Sequence, residues 1–327
     1  MKSFDFVAVG DIVTDAFIRL EVAEEHIDKG KEMLCMPFAT KIPYEFVKEV
    51  FAVGNCANAS VAAARLGLSS ALISNQGSDE VGVKNLASLK ADNVATDYVI
   101  SHKNIKSNYH YVLWFGDERT ILVKHEEYPY TMPDIETKWL YVTSLSSTSA
   151  EFHDEIAGYL DKHTDTKLAF QPGTFQIKLG KERLARLYKR CDIFFCNVEE
   201  AKLILETSES DVKKLLEALH NLGPKIVVIT NGPKGAYVRE ESGTVLFQAP
   251  YPDIAPPYDR TGAGDAFAST FCIALALGKS VSEALMWAPI NSMSVVQKVG
   301  AQEGLLTREE LENYLIKAPS DYQAKVM

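Results

Sequence analysis

The sequence predicts an α/β domain with a mostly parallel central sheet, helices on both faces and a small inserted β layer. Three observations carry that expectation. Short apolar runs alternate with helical patterns along much of the chain, and two stretches, 16–52 and 107–125, interrupt this alternation. No Pro/Gly linker, repeat or low-complexity segment divides the 327 residues, so positions 1–327 are expected to form one domain.

Six runs read as strands: FDFVAVG (4–10), SSALISNQG (69–77), WLYVTSL (139–145), KLAFQPG (167–173), CDIFFCN (191–197) and KIVVITNG (225–232). Each is an apolar run ending in Gly, Asn or Ser or just short of one, which suits a strand buried on both faces. Between them lie the helical patterns NASVAAARLG, EFHDEIAGYLDKH, KERLARLYKR, VEEAKLILE and DVKKLLEALHNLG. In such folds a ligand sits beyond the carboxyl ends of the strands.

The two interruptions differ in character. Residues 16–52 hold no long helix. Residues 107–125, SNYHYVLWFGDERTILVKH, read as two β-rich runs joined around Gly116-Asp117. Tyr109, Tyr111, Leu113 and Phe115 alternate on one face of the first run, with Val112 and Trp114 on the other. The tyrosine face suits a lid over a ligand or a homodimer interface, against the simpler reading of a surface hairpin.

Composition excludes several classes. Thirty-four basic and 44 acidic residues give a net charge of −10, which argues against a nucleic-acid-binding surface while leaving room for a local phosphate pocket. No apolar run is long enough to span a membrane, and MKSFDFVAVGDIV reads as a first strand, not a signal peptide. Five scattered cysteines point to reduced thiols and a cytoplasmic setting. Without a secretory signal, the glycosylation pattern at Asn58-Ala59-Ser60 carries little weight. The seven histidines show no metal-ligand spacing.

The chemistry concentrates in DRTGAGDAFASTF (259–271). Gly262, Ala263 and Gly264 lead into a helix whose apolar face holds Phe267, Phe271, Ala274 and Leu275. Small residues at a helix start leave backbone N–H groups bare, and the helix dipole adds about half a positive charge there. Asp265 reads either as a first-turn carboxylate that merely stabilises the helix or as a general base for phosphoryl transfer; the missing bulk at all three preceding positions favours the second. LGKS (277–280) is no P-loop, because Ile273 stands where the first glycine would be. No G-x-G-x-x-G follows the first strand, which disfavours a dinucleotide-binding oxidoreductase.

DRTGAGDAF resembles the C-terminal signature of the ribokinase-like (PfkB) family of carbohydrate and nucleoside kinases. Further resemblances follow in order along the chain: VGDIVTD (9–15), VGNCANASVAAARLG (53–67), GSDEVG (77–82), NVEE (197–200), TNGPKGAYV (230–238) and NSMSVVQKVGAQ (291–302). The resemblance implies a three-layer α/β/α ribokinase-like fold with a β lid, ATP as co-substrate and Mg²⁺. It implies Asp265 as base and Gly262, Ala263 and Gly264 as anion hole. Asp15, Gly54, Asn55 and Asn58 would hold the sugar. Asn197 and Glu200 would serve Mg–ATP, Glu200 through metal-bound water, although Asn197 also suits a helix cap, as does Asn58. Thr230, Gly232, Gly235 and Gly264 would line the nucleotide cleft, with Asn291 near the adenine. Asp259 and the Gly300-Ala301 turn resemble the loops that hold a monovalent cation such as K⁺.

Some positions depart from the family's pattern. Arg260 replaces a small residue, for contact with a phosphate or with solvent. Arg119 could reach a substrate phosphate or remain an ordinary hairpin arginine. Asn55 and Cys56 are unusual before the substrate asparagine, and QPGTFQ (171–176) stands where many relatives carry D-x-N-x-R. The expected function is transfer of the γ-phosphoryl group of ATP to a sugar hydroxyl. The alternatives are a nucleoside kinase of the same fold and a non-catalytic sugar or nucleotide sensor.

Overall fold

The computed structural model describes residues 2–116 and 118–327. Among these, ten strands form one sheet. Seven are parallel, in the order Val99–His102, Ser70–Gly77, Ser3–Val9, Glu136–Val142, Lys167–Phe170, Ile193–Asn197 and Ile226–Thr230. Ala236–Arg239, Val245–Gln248 and Lys325–Val326 extend the last edge antiparallel. All six sequence-expected strands belong to the parallel part.

Alternation within the strands builds the layers. Phe6 and Ala8 point to one face with Tyr141, Phe195 and Val228, where helices Asn55–Arg65, Ala263–Ala276 and Val281–Val295 pack. Val7 and Val9 point to the other with Leu140, Val142 and Phe194, covered by helices Ala150–Lys162, Val198–Leu205 and Val212–His220. Phe6, Val7, Ala8 and Val9 are all fully buried. Burying a large apolar side chain contributes roughly 1.5–3 kcal/mol, which explains why these strands read as continuous apolar runs. The fold is the ribokinase-like three-layer arrangement, with a separate small sheet.

That second sheet has four strands. Val13–Leu20 lies at its centre, antiparallel to Tyr44–Val53 and parallel to Tyr109–Phe115, which pairs with Glu118–Leu122. The turn residue Asp117 lies outside the described residues. A separate exposed hairpin, Glu24–Asp28 with Lys31–Cys35, fills much of the first interruption. His110, Val112 and Trp114 form the covered face of Tyr109–Phe115, whereas Tyr111 is half exposed. The tyrosine face therefore points outward and does not close over the cleft. Cys56, Cys191, Cys196 and Cys272 are buried free thiols and Cys35 is exposed. Among the described residues, no helix is long and apolar enough to cross a membrane.

The buried amide of Asn85 joins the two sheets: its Nδ2 donates to Gln76 Oε1 of Ser70–Gly77 at 3.4 Å. Asn85 Oδ1 accepts from the Thr14 hydroxyl and from the Ala52 N–H, both at 2.8 Å. Ala52 sits in the left-handed region at φ +55° and its carbonyl accepts from Gln302 Nε2 at 2.7 Å. A non-glycine residue held there costs of order 1 kcal/mol or more, so the two bonds over-determine a strained corner. Asn85→Leu leaves two buried donors without acceptors, and we expect a loss of about 2–4 kcal/mol in urea unfolding at an unchanged slope. A loss under 0.5 kcal/mol would show that the amide does not clamp the sheets.

Candidate active site

The helix Ala263–Ala276 begins at a turn that only glycine allows. Gly262 has φ +81°, and a Cβ there would lie 2.3 Å from the Ala301 Cβ. Asp259, almost fully buried, ties this turn to its neighbour: Oδ1 accepts from Thr261 N at 2.9 Å and Oδ2 from Gly300 N at 2.8 Å. The first bond of the helix runs from Ala266 N to Gly262 O at 2.8 Å. The N–H groups of Gly264 and Asp265 therefore precede the helical ladder and carry the positive end of its dipole. A Cβ at Gly264 would meet no protein atom within 4 Å. Its missing side chain leaves space for something other than protein.

Asp265 lies in this first turn. Asn58 Nδ2 donates to Oδ2 at 2.9 Å and Gln171 Nε2 to Oδ1 at 3.2 Å. Gln302 Nε2 donates to Asn58 Oδ1 at 3.0 Å, which fixes the orientation of the Asn58 amide. Burial raises the Asp265 pKa, the two amide hydrogen bonds oppose that rise, and the charge of Asp15 adds to it. The result is a carboxylate that takes a proton more readily than an exposed aspartate.

Two cavities meet at this helix start. The first, about 570 Å³, lies between the four-stranded sheet and the carboxyl ends of the parallel strands, and Asp15, Gly54, Asn55, Asn58, Gly262 and Asp265 line it. Asn197 and Glu200 stand on its far wall. The second, about 750 Å³, is bounded by Gly232, Gly235 and Ala263 together with apolar Phe267, Met293 and Val296. Thr230, Arg260 and Gly264 line both. The expected residues thus converge on one cleft, except for Asp259, whose carboxylate is engaged by Thr261 N and Gly300 N, and Asn291. Asn291 reaches neither cavity: it is fully buried, its Nδ2 donates to the Thr270 hydroxyl at 2.8 Å and its Oδ1 accepts from Leu306 N at 2.9 Å. Its neighbours Ser292 and Met293 face the second cavity instead.

Asn197 and Glu200 do two things at once. They form a reciprocal cap, Glu200 N to Asn197 Oδ1 and Asn197 N to Glu200 Oε2, each at 2.8 Å. Burial raises the Glu200 pKa, and none of the described hydrogen bonds uses its other oxygen. Among the described residues, no group of three or more His, Cys, Asp or Glu could hold a metal. A divalent ion in this cleft would take most ligands from phosphate and water, which suits Mg²⁺ and the Glu200 carboxyl. Arg260 lines the cleft with its Nε 3.7 Å from Glu118 Oε1.

Several lining residues escaped the sequence reading. Gln171, from the QPGTFQ loop, contacts Asp265 directly. His110 lies 3.5 Å from Asp15, and His125 lies 3.6 Å from Asp11. Asp11 accepts a hydrogen bond from the Tyr130 hydroxyl at 2.8 Å, and burial pushes its pKa up to about 6. Asp11 lies four residues before Asp15, but His110 comes from the neighbouring strand and His125 from the segment after Glu118–Leu122, and no spacing rule links them.

Comparison with known proteins assigns the cleft to a family. Residues 48–308 match the pfkB family carbohydrate kinase domain. The chain belongs to that family. Ribokinase of Bacillus subtilis (strain 168) is 31% identical over 271 residues, covering 80% of this chain and 87% of that protein. Arabidopsis thaliana ribokinase, solved with ribose and ATP, has a TM-score of 0.79 at 21% identity over 96% of this chain and 99% of that one. The nucleoside kinase of Methanocaldococcus jannaschii has a TM-score of 0.78 at 18% identity, over 97% and 99%. As a pfkB-family kinase the chain is a nucleotide-binding phosphotransferase acting on a sugar or nucleoside.

Two glycines of this turn separate structure from ligand. Gly262→Ala must push the turn off Ala301 and strain φ, so we expect roughly 2 kcal/mol or more of lost stability by chemical denaturation. Gly264→Ala should leave unfolding within about 0.5 kcal/mol of wild type, because nothing in the protein opposes it, while nucleotide affinity falls at least tenfold by calorimetry. Equal effects on both measurements would remove the distinction.

The raised pKa of Asp11 has a thermodynamic signature. Its folded value, about 6, exceeds the unfolded value near 4, so its protonation favours the folded state below pH 4 and that contribution fades as pH rises through 6. Asp11→Asn has no such proton to lose. Relative to wild type the variant should gain on the order of 1–3 kcal/mol between pH 4 and pH 7.5. A pH-independent difference in melting between the two proteins would contradict the assignment.

Proposed function

We propose that the protein transfers the γ-phosphoryl group of ATP to a hydroxyl of a sugar, with Asp265 as general base and the Gly262–Gly264 turn as anion hole. The supporting observation is the meeting of two cavities at one helix start. There a carboxylate held by two amides faces the first cavity and unbonded N–H groups face the phosphate side.

The acceptor hydroxyl, set by Asp15, Asn55 and Asn58, gives its proton to Asp265 as its oxygen bonds to the γ-phosphorus. The bond from that phosphorus to the β–γ bridging oxygen breaks, and ADP leaves with the electron pair. Charge developing on the equatorial oxygens faces the Gly264 N–H and the helix dipole. Thr230, Gly232 and Gly235 border the phosphates, and the apolar wall of Phe267, Met293 and Val296 suits the base. Glu200 and Asn197 would hold Mg²⁺ through water, and the ion when bound neutralises phosphate charge. In this reading the four-stranded sheet is a lid that keeps water from the γ-phosphate. A monovalent cation near Asp259 would share a carboxylate already engaged by two N–H groups.

A sugar fits better than a nucleoside. The aromatic face that would have stacked on a base, Tyr109 and Tyr111, points away from the cleft. A sensor without chemistry would not need a buried carboxylate at the junction of the cavities.

Asp265→Asn keeps the shape and removes the base. We expect ADP release in the presence of acceptor to fall about a hundredfold or more, with ATP affinity by calorimetry changed less than threefold. Near-normal turnover would sink the assignment.

A further inference from the structure

Beside its carboxylates, the first cavity carries basic side chains that a neutral sugar does not require. Arg119 enters from the strand Glu118–Leu122, and Lys178 from the helix Thr174–Leu179 on the opposite wall. His110 and His125 lie between them. The side chains form a continuous run: the Lys178 ammonium lies 5.6 Å over the Phe175 ring, that ring stands edge-on to His125 at 5.5 Å, and His125 stands edge-on to His110 at 5.3 Å. Among the residues lining the cavity, Arg119 Nε and His110 Nε2 are buried nitrogens with no hydrogen-bond partner, while the equally unbonded His125 Nδ1 faces Asp11 Oδ2 at 3.6 Å. A buried polar atom left without a partner costs roughly 1–3 kcal/mol, so Arg119 Nε and His110 Nε2 mark where ligand atoms belong.

The geometry points to an acceptor that already carries an acidic group, a phosphate monoester or a carboxylate, bound by Arg119 and Lys178. This rests on the kinase reading above and specifies its substrate class. Asp15, Asn55 and Asn58 are hydroxyl-binding groups near Asp265, and a carboxylate beside them repels a second anion. Burial lowers the His125 pKa to about 4, so its imidazole is neutral, and an anion gains its charge-assisted bonds from the Arg119 guanidinium and the Lys178 ammonium. These cations do not belong to the nucleotide side. Arg260 lines both cavities and so lies within reach of the transferred phosphate, whereas Arg119 and Lys178 line the first cavity alone. Glu118 bonds Arg119 at 3.2 Å, but it is exposed at the mouth, where such a pair is weak and easily exchanged for an incoming anion.

The test is a selectivity panel on the full chain with Mg–ATP, read as ADP release. The neutral acceptors are D-ribose, D-fructose and cytidine; the acidic ones are fructose 6-phosphate, fructose 1-phosphate and 2-dehydro-3-deoxygluconate, which separate phosphate from carboxylate. One acidic acceptor should exceed every neutral one by about a hundredfold or more in kcat/KM. Arg119→Gln and Lys178→Gln should each lower that ratio at least tenfold through the KM of the acceptor, with the KM for ATP within twofold, and Arg119→Lys should recover part of the loss. The inference is overturned if a neutral acceptor is preferred, or if the variants move the KM for ATP and leave the ratio intact. If a neutral acceptor is used and its turnover requires Asp265, the kinase reading stands and only this inference falls. If no acceptor is turned over although ATP binds, both fall.

Discussion

A half-buried carboxylate at the start of an apolar helix governs this structure. Ala266, Phe267 and Phe271 follow Asp265 into the core, and a charge left bare there would neutralise or unfold the turn. Two amides prevent that. Asn58 comes from the helix Asn55–Arg65, and Gln171 from the loop after Lys167–Phe170. Gln302 then orients Asn58 and at the same time holds the carbonyl of Ala52, where the inserted sheet returns to the body. Four distant segments are therefore committed to one another by the need to satisfy a single carboxylate and its nearest amide.

This chain of bonds explains why the second sheet lies where it does. Asn85 fastens Thr14 and the Ala52 N–H, so both arms of that sheet leave the body beside Asn58. The Asp15 side of Val13–Leu20 and the His110 side of Tyr109–Phe115 then face the cleft by strand alternation alone. A shift by one residue would have turned Tyr109 and Tyr111 inward and His110 outward. Register, more than composition, decides which chemistry the lid presents.

How much of this was legible in the sequence follows from how local each signal is. Six of the seven parallel strands were, because burial on both faces forces an unbroken apolar run such as Ile226–Thr230, whereas the half-exposed edge strand Val99–His102 has no such run. The glycine turn and Asp265 were, because backbone close approach leaves a residue-type signature. The helix Val281–Val295, with Pro289 inside it, and the short antiparallel edge strands carry no comparable pattern. Asn291 looked like a ligand-facing polar residue, yet its side chain serves Thr270 and Leu306, a distinction set by helix rotation that one sequence cannot show. Arg119, Lys178 and the two histidines lie on separate elements, and only the register between sheets brings them together.

The two cavities share Arg260, Thr230 and Gly264, and this sharing constrains how the cleft can act. Glu118, on the inserted sheet, reaches both Arg119 at 3.2 Å and Arg260 at 3.7 Å. One carboxylate thus links the acceptor wall to the turn that precedes the helix. Movement of the strand Glu118–Leu122 alters the surroundings of both arginines together, so an anion bound at Arg119 as proposed would compete with the carboxylate that also lies beside Arg260. On that reading, occupancy of the first cavity would be coupled to Arg260 through a contact that solvent already weakens.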